Sequence, residues 1–598
     1  MKYYCLIVIS TIFFNFFILS QQNSCIKLSG KPLSSDSLKS SNVNDAFDGD
    51  LSTSFKSSNP SNGWIGLKLD SKYLVTKIGL AFPQDAKKED YILGILEGSN
   101  DPNFYDSYPI YMITKDLELG KINYIDIKVN KRYKFIRYIG PNKSYSVISE
   151  FEIYGDDELE TESNKENTNE EDYFYQITNL PLVVIKTENS VEPYDKENYV
   201  KCSVSIIKDN KVDTEANGKI KLRGNATLRL EKKSYRIKFN NKENPLGLPA
   251  NAKSWTLLAN HSDKTLIRNM LAFKISSLFE MKYTPICQPV DLIVNGEFKG
   301  NYGLCDQVEE GKGRIEVTEM DETSIEEPEI TGGYVLAADQ WAQMGGDSYY
   351  TSNKGVIYTI KYPKVIPKQE EYITNYFNLV EEECYNNSVD RIDLETFCKY
   401  LLIEDLCGNG ETYWSTYMTK EREDDKIYFG PVWDFDISFD NDNRVYSVLD
   451  KKDFIFKYGT SAGTMNQLAI NILSNKKTIE KLKEIWKKYS ETTVTTETLI
   501  KYINDEVKNI EQSQKLNFKR WDVLNTKVLI NPVVRGSFEK EVDFLKEYIQ
   551  KRYVITDEIV KNASYESITA EVKKKEHKND KKGERNKKNF HSFLIDEE

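Results

Sequence analysis

The chain has 598 residues, of which 39% are hydrophobic and 29% charged, enough for about two to four domains with full cores. Its net charge of −12 argues against a general nucleic-acid surface. The three histidines exclude a multi-histidine zinc site and leave a Ser-His-Asp or Cys-His arrangement only His261, because His577 and His591 sit in a lysine-rich tail. Acid–base chemistry therefore falls to carboxylates.

In chain order, Lys2 and the apolar run from Tyr4 to Leu19, closed by Ser20, read as a secretory signal at residues 1–20, with a signal anchor as the alternative. No later run is apolar for long enough to span a bilayer. Beyond Cys5 there are cysteines at 25, 202, 287, 305, 384, 398 and 407, with no Cys-x-x-Cys. Glycosylation sequons stand at Asn142, Asn225, Asn260, Asn386 and Asn562. Residues 25–155 alternate apolar and polar in short runs, such as Trp64 to Leu69 and Tyr124 to Val129, between Asn, Asp, Gly and Ser clusters, and predict an all-β domain. From Asp156 to Asp172 the one apolar residue is Leu159, which marks an acidic linker. Residues 173–565 begin with strand-like runs, with a helix predicted over Lys264 to Phe279. Helical spacing dominates from Glu370 onward, broken by a strand-like segment around Trp433. Residues 566–598 form a lysine-rich tail read as disordered.

In the first domain, Val43-Asn44-Asp45-Ala46-Phe47-Asp48-Gly49-Asp50 precedes Gly63-Trp64-Ile65-Gly66, and Ile148 to Gly155 closes the domain. The Asp-Gly-Asp turn with Thr53 nearby offers several oxygen ligands in a tight loop, as Ca²⁺ requires, or forms a plain Asx turn. These motifs resemble the discoidin, or coagulation factor 5/8 type C, domain, a galactose-binding-like jelly-roll sandwich. The resemblance implies a structural Ca²⁺ at Asp48, Asp50, Thr53 and Glu152 and a glycan or lipid-head-group ligand. The family's bridging cysteine pair is missing here.

In the second domain, Lys221 to Thr227 reads as a basic strand entering a small-residue turn whose N–H groups can face a phosphate. Lys232 to Phe239 alternates and reads as a second basic strand. Gly430-Pro431-Val432-Trp433-Asp434-Phe435-Asp436 is the most telling segment. If it is extended, Asp434 and Asp436 share a face, and two carboxylates so placed suit Mg²⁺ or Mn²⁺; the alternative is a structural pair capping backbone N–H groups. Together with Trp255 to Lys264, Leu266 to Asn269, Val294 to Gly303, Asp306-Gln307-Val308 and Asn409 to Tyr417, these motifs in this order resemble the CotH family, atypical secreted protein kinases named for spore coat protein H.

The resemblance implies an α+β, two-lobed kinase-like domain binding ATP and Mg²⁺ or Mn²⁺. Asp434 and Asp436, with Asp440 as a further ligand, match the metal motif. Arg223, Gly224 and Asn225 match the phosphate-side turn, and Lys232 or Lys233 the phosphate-binding lysine. Asp306 stands where relatives carry a glutamate that orients the lysine. Asn409 and Glu411 stand in the family's Asn-x-Asp, making Glu411 the candidate base. The leading expectation is a secreted kinase phosphorylating Ser or Thr of secretory or cell-surface proteins, with a glycan-binding first domain, no nucleic-acid partner and no transmembrane helix beyond the signal. A non-catalytic pseudokinase scaffold is the alternative. A glycoside hydrolase is disfavoured, because Asp434 and Asp436 are too close for carboxyl groups that must stand roughly 5–9.5 Å apart.

Overall fold

Strand alternation in the first 155 residues produces eight strands: β1 (Ile26–Lys27), β2 (Gly30–Ser34), β3 (Trp64–Ala81), β4 (Ile95–Ser99), β5 (Tyr108–Met112), β6 (Asn123–Asp126), β7 (Arg132–Ile139) and β8 (Glu150–Gly155). The computed structural model describes residues 25–36, 42–156, 172–339, 342, 349–459 and 463–568. The expected signal, the linker from 157 to 171 and the tail from 569 lie outside these. The chain divides into two compact units, Met1–Tyr111 with Lys115–Tyr173, and Met112–Thr114 with Phe174–Glu598.

The first unit is a β-sandwich. The front half of β3 pairs with β2 and β7, and its back half with β8 and β6. One sheet therefore runs β2-β3-β7-β4-β5 and the other β1-β8-β3-β6, joined by the strand they share. Ile65, Leu69, Ile78, Leu80, Ile136 and Ile153 fill the space between them, the period-2 pattern placing every second residue inward.

The second unit begins with seven strands: β9 (Leu182–Thr187), β10 (Val200–Lys208), β11 (Lys211–Arg223), β12 (Ser234–Glu243), β13 (Ala252–Leu258), β14 (Cys287–Val294) and β15 (Glu297–Asp306). They close into a barrel in the order β10-β11-β12-β13-β15-β14-β9. Trp255, Ile237, Leu257, Leu292 and Leu304 pack its interior. Helix α1 (Arg268–Leu278) interrupts the strands between β13 and β14, within the predicted helical span. The chain then builds a five-stranded sheet, β17-β18-β16-β19-β20, from β16 (Tyr334–Asp339), β17 (Tyr350–Thr351), β18 (Ile357–Tyr362), β19 (Ser415–Lys420) and β20 (Ile427–Phe429).

Among the described residues seven further helices follow α1: α2 (Pro367–Tyr385), α3 (Leu394–Cys407), α4 (Thr464–Leu473), α5 (Lys476–Ser490), α6 (Thr496–Asn509), α7 (Glu511–Arg520) and α8 (Phe538–Asn562). Helix α5 shows why they pack. Ile479, Leu482, Ile485, Trp486 and Tyr489 recur on one stripe and are buried, while its lysines face out. Helix α8 starts at Ser537, whose hydroxyl accepts the Lys540 N–H, and buries Arg552 against Asp405 at 2.7 Å. Among the described residues no helix is long and apolar enough to cross a membrane.

Trp255 is the barrel's largest fully buried side chain. Trp255→Ala is expected to lower unfolding free energy by about 3–5 kcal/mol, read by circular dichroism in urea. Tyr194→Ala, at a side chain 63% exposed, is expected to leave the midpoint unchanged.

Candidate functional site

The acidic segment does not form the extended strand its alternation predicts. Strand β20 ends at Phe429, and Asp434 takes a left-handed backbone, φ 70°, so residues 430–436 form a loop. Phe435 is fully buried, against Phe273, and its N–H is held at 2.8 Å by Asn269 Oδ1 from α1. Ser262 Oγ donates to Asp436 Oδ2 at 2.5 Å. Asn441 Nδ2 donates to the Asp436 carbonyl at 3.0 Å and to the Ser262 carbonyl at 3.1 Å. Asn531 adds a second donor to Ser262 O, at 3.0 Å, and binds Asn441 Oδ1 at 2.9 Å. The segment is thus sewn to the turn that follows β13.

Asp434 is exposed, while the protein packed around it lowers the hydration of its carboxylate. This raises its pKa, and the neighbouring Asp436 and Glu411 carboxylates raise it further, while Arg223 opposes them. Asp436 is raised by the same desolvation, with Ser262 opposing. Arg223 ends β11, its guanidinium 5.3 Å from the centre of the Trp433 ring. Gly224 then takes φ 110°, where a Cβ would strike Thr227 Oγ1. Asp436, Glu411 and Arg223 therefore all lie close enough to Asp434 to act on its charge. Two adjacent carboxylates give a hard oxygen donor set that fits Mg²⁺ or Mn²⁺.

The two lysines expected at the phosphates diverge. Lys232 is buried, and its ammonium donates to the carbonyls of Ala259 (2.6 Å) and Asn301 and to Asn517 Oδ1 (2.9 Å). It lies over the Tyr302 ring and has no proton left for a ligand. Lys233 is half-buried and donates to Leu228 O, in the loop after Gly224, at 2.6 Å. Asn225 is exposed and accepts from Lys196. Asp306 does not face either lysine. It accepts from Arg314 Nε at 3.2 Å and the Ile286 N–H at 3.1 Å.

Asn409 bridges backbone and side chain: its Oδ1 accepts the Glu411 N–H at 3.0 Å and its Nδ2 donates to buried Glu404 at 2.8 Å. Glu411 forms an ion pair with Arg444 at 2.8 Å, and Arg444 also pairs with Asp442 at 2.7 Å. Desolvation raises the Glu411 pKa against the pull of Arg444. Asp440 turns away, accepting the Val448 N–H at 2.7 Å. Ser262, Asn441, Arg444 and Asn531 had no assigned role in the sequence reading. The signal for two of them is the polar run Asp440-Asn441-Asp442-Asn443-Arg444, polar yet largely buried. A cavity of about 470 Å³ adjoins the segment at Pro431 and includes Asp306, Gln307 and Val308, where the barrel passes into the rest of the unit.

In the sandwich, Asp48 Oδ1 accepts the Asp50 N–H at 2.8 Å, and Thr53 Oγ1 donates to Asp48 Oδ2 at 3.0 Å. The glutamate at this loop is Glu150, not Glu152. Glu150 Oε2 accepts the Gly49 N–H at 3.0 Å, while its buried Oε1 accepts no hydrogen bond, Lys27 standing 3.7 Å away. Glu152 instead pairs with Lys27 at 2.6 Å and accepts from Tyr124 and Tyr154.

The family model described as CotH kinase protein matches residues 220–556, more than half of the 598 residues. The chain belongs to the CotH kinase protein family. No curated protein sequence matches it. Similar solved structures include CBM62 from Clostridium thermocellum Xyl5A, with 26% identity, 22% of this chain and 97% of that one covered, and a TM-score of 0.21. CBM32 of AlyQ in complex with 4,5-unsaturated mannuronic acid gives 19%, 21%, 97% and 0.18. A fucolectin from Morone saxatilis (striped bass) serum gives 16%, 22%, 46% and 0.20.

His261 is nearly buried, edge-on to Trp521. Burial, then Lys232 and Lys233, push its pKa down to about 4 from 6.5. The unfolded chain therefore takes up a proton that the fold refuses, so this contribution is complete above pH 6.5 and falls as pH drops toward 4. Between pH 7 and 5 wild type is expected to lose about 2 kcal/mol more stability than His261→Asn, measured by urea unfolding at each pH.

Proposed function

We propose that the chain is a secreted CotH-type protein kinase that transfers the ATP γ-phosphoryl group to Ser or Thr of secretory or cell-surface proteins. The grouping of Asp436, Glu411 and Arg223 around Asp434 carries this reading. Asp434 and Asp436 would hold Mg²⁺ or Mn²⁺ as a pair, since among the described residues no three acidic, His or Cys side chains form a ready site. A cation held there would supply charge neutralisation at the transferred phosphate. Arg223 and Lys233 bind phosphate oxygens, and the backbone N–H groups of the Gly224–Asn225 turn add dipoles. The cavity at Asp306 to Val308 takes the nucleoside. Glu411 accepts the acceptor hydroxyl's proton as that oxygen bonds to γ-phosphorus and the bond to the β-phosphate oxygen breaks, releasing ADP. Arg444 keeps Glu411 ionised and oriented.

A second reading, a non-catalytic pseudokinase scaffold, draws on three engaged groups: Glu411 on Arg444, Asp306 on Arg314 and Lys232 on backbone carbonyls. Turnover separates the two. With labelled ATP, Mn²⁺ or Mg²⁺ and a mixed protein acceptor, the wild type is expected to transfer label, and Asp434→Asn and Glu411→Gln to reduce the rate by about 10²–10⁴. Absence of transfer by wild type, or undiminished transfer by Asp434→Asn, would sink the kinase reading. A nucleotide-dependent thermal shift without turnover would establish the second.

We also assign a glycan-binding role and a structural Ca²⁺ to the sandwich. Asp48, Thr53 and the Asp50 backbone, closed by the Glu150 oxygen that accepts no hydrogen bond, supply the donors. Ca²⁺ after EGTA treatment is expected to raise the melting temperature of wild type and Glu152→Gln but not of Glu150→Gln. No shift in wild type would remove the ion.

A further inference from the structure

We propose that the outer face of the sandwich's larger sheet binds an acidic sugar residue, one bearing a carboxylate or sulfate; this rests on the glycan-binding role assigned above. Lys31, Lys68 and Phe135 are cross-strand neighbours on β2, β3 and β7, one row across the sheet. Leu33 and Trp64 project from the same face, each an even number of residues from the row. With Pro102 from the loop after β4 they line a cavity of about 320 Å³, at the small end of the range for ligand pockets.

Three features point to an anionic carbohydrate. The first is charge. Lys31 and Lys68 stand directly opposite each other, and among the described residues neither has a carboxylate partner. Like charges so placed on an antiparallel pair repel, and an anion between them reverses the sign of that interaction. The second is a fixed aromatic wall. Trp64 is half-exposed and held from behind by Phe104, with ring centres 5.5 Å apart, and by the Arg137 guanidinium at 5.3 Å. Arg137 is itself neutralised by Glu97 at 2.7 Å, so it orients the ring without adding net charge. A ring immobilised before binding loses little entropy when a flat apolar face stacks on it. The third is the gap between wall and charge. Along β3, Gly66 separates Trp64 from Lys68 and adds no side chain between ring and ammonium, its row being completed by Leu33 on β2 and by Arg137, which packs against Gly66 from β7. A sugar ring lying on Trp64 and Leu33 therefore directs its acidic substituent at the two lysines.

The chain's net charge of −12 opposes indiscriminate attraction of polyanions, so affinity for one must come from this local pair. A neutral sugar gains the stacking but leaves the lysine repulsion in place.

Full-length protein, titrated calorimetrically with oligogalacturonate, heparin oligosaccharide, matched neutral oligosaccharides and phosphatidylserine vesicles, tests this. At least one acidic oligosaccharide is expected to bind at least tenfold more tightly than its neutral counterpart. Raising NaCl from 50 to 300 mM should weaken that binding. The double variant Lys31→Gln/Lys68→Gln, exposed side chains whose loss should leave the melting temperature unchanged, is expected to lose at least tenfold in affinity, and Trp64→Ala to lose as much. Binding of the acidic sugar undiminished in the double variant overturns the site. So does equal, lysine-independent binding of neutral sugars, which leaves the glycan-binding role standing. Lysine-dependent binding of the vesicles without any sugar binding overturns both, as does failure of every ligand to bind.

Discussion

A single buried ammonium ties the barrel to the helices that follow it. Lys232 is out of water, a position that costs several kcal/mol unless every proton is met. Its three acceptors come from the end of β13, from β15 and from α7, the last 285 residues along the chain. Gly300 accommodates this closure, because a Cβ there would strike Asn517 Oδ1, and Trp521 follows by donating to the Lys299 carbonyl at 2.8 Å. Removing Asn517 would leave a buried charge incompletely satisfied, so α7 cannot leave the barrel cheaply. The neighbouring Lys233, immediately before β12, escapes this fate and donates to Leu228 O near the basic turn.

From the Lys232 knot the polar network runs to the cleft. Ala259, one of its acceptors, leads into Asn260 and the turn that carries Ser262 and Asp263. Asn260 accepts from Asn269, and Asn269 fixes Phe435. Asp263 is fully buried and holds Arg268 through its side chain and backbone N–H. Two further Arg268 nitrogens are buried without partners, and the guanidinium favours the ionised form of Asp436. The charge on Asp436 is therefore influenced by Ser262, Asp263 and Arg268, groups that never touch solvent. Such rigid support is what an electrostatic site requires, since dipoles that must reorganise on binding lose most of their effect.

Much of this was legible in the residues. Period-2 patterning gave the sandwich, the small-residue turn after a basic strand placed Arg223 and Gly224, and the Asp-Phe-Asp spacing marked the cleft. What failed had physical causes. Adjacent lysines differ by one side-chain flip, and only barrel closure and a helix hundreds of residues away decide that Lys232 points inward. Glu150 and Glu152 share a strand face at spacing two, so alternation cannot say which one meets the Asp48 loop. Asp306 finds Arg314 through a segment without regular structure. Asp434 has a positive φ, a conformation that strand periodicity does not anticipate. Arg444 lies in a polar run that reads as solvated, yet Asp442 and Glu411 draw it inward.

Strand β3 belongs to both sheets of the sandwich, and this limits how the domain can assemble. Elsewhere a strand that pairs one residue out of register misplaces the side chains of one sheet. A slip of β3 would turn Trp64 and Lys68 toward the core while driving Ile65 and Ile78 toward water, and it would do so in both sheets together. Neither sheet can then settle into its pairing alone, so the two should form and melt as one cooperative unit, with the lysine row on the outer face and the loop above Glu150 ordered in the same step.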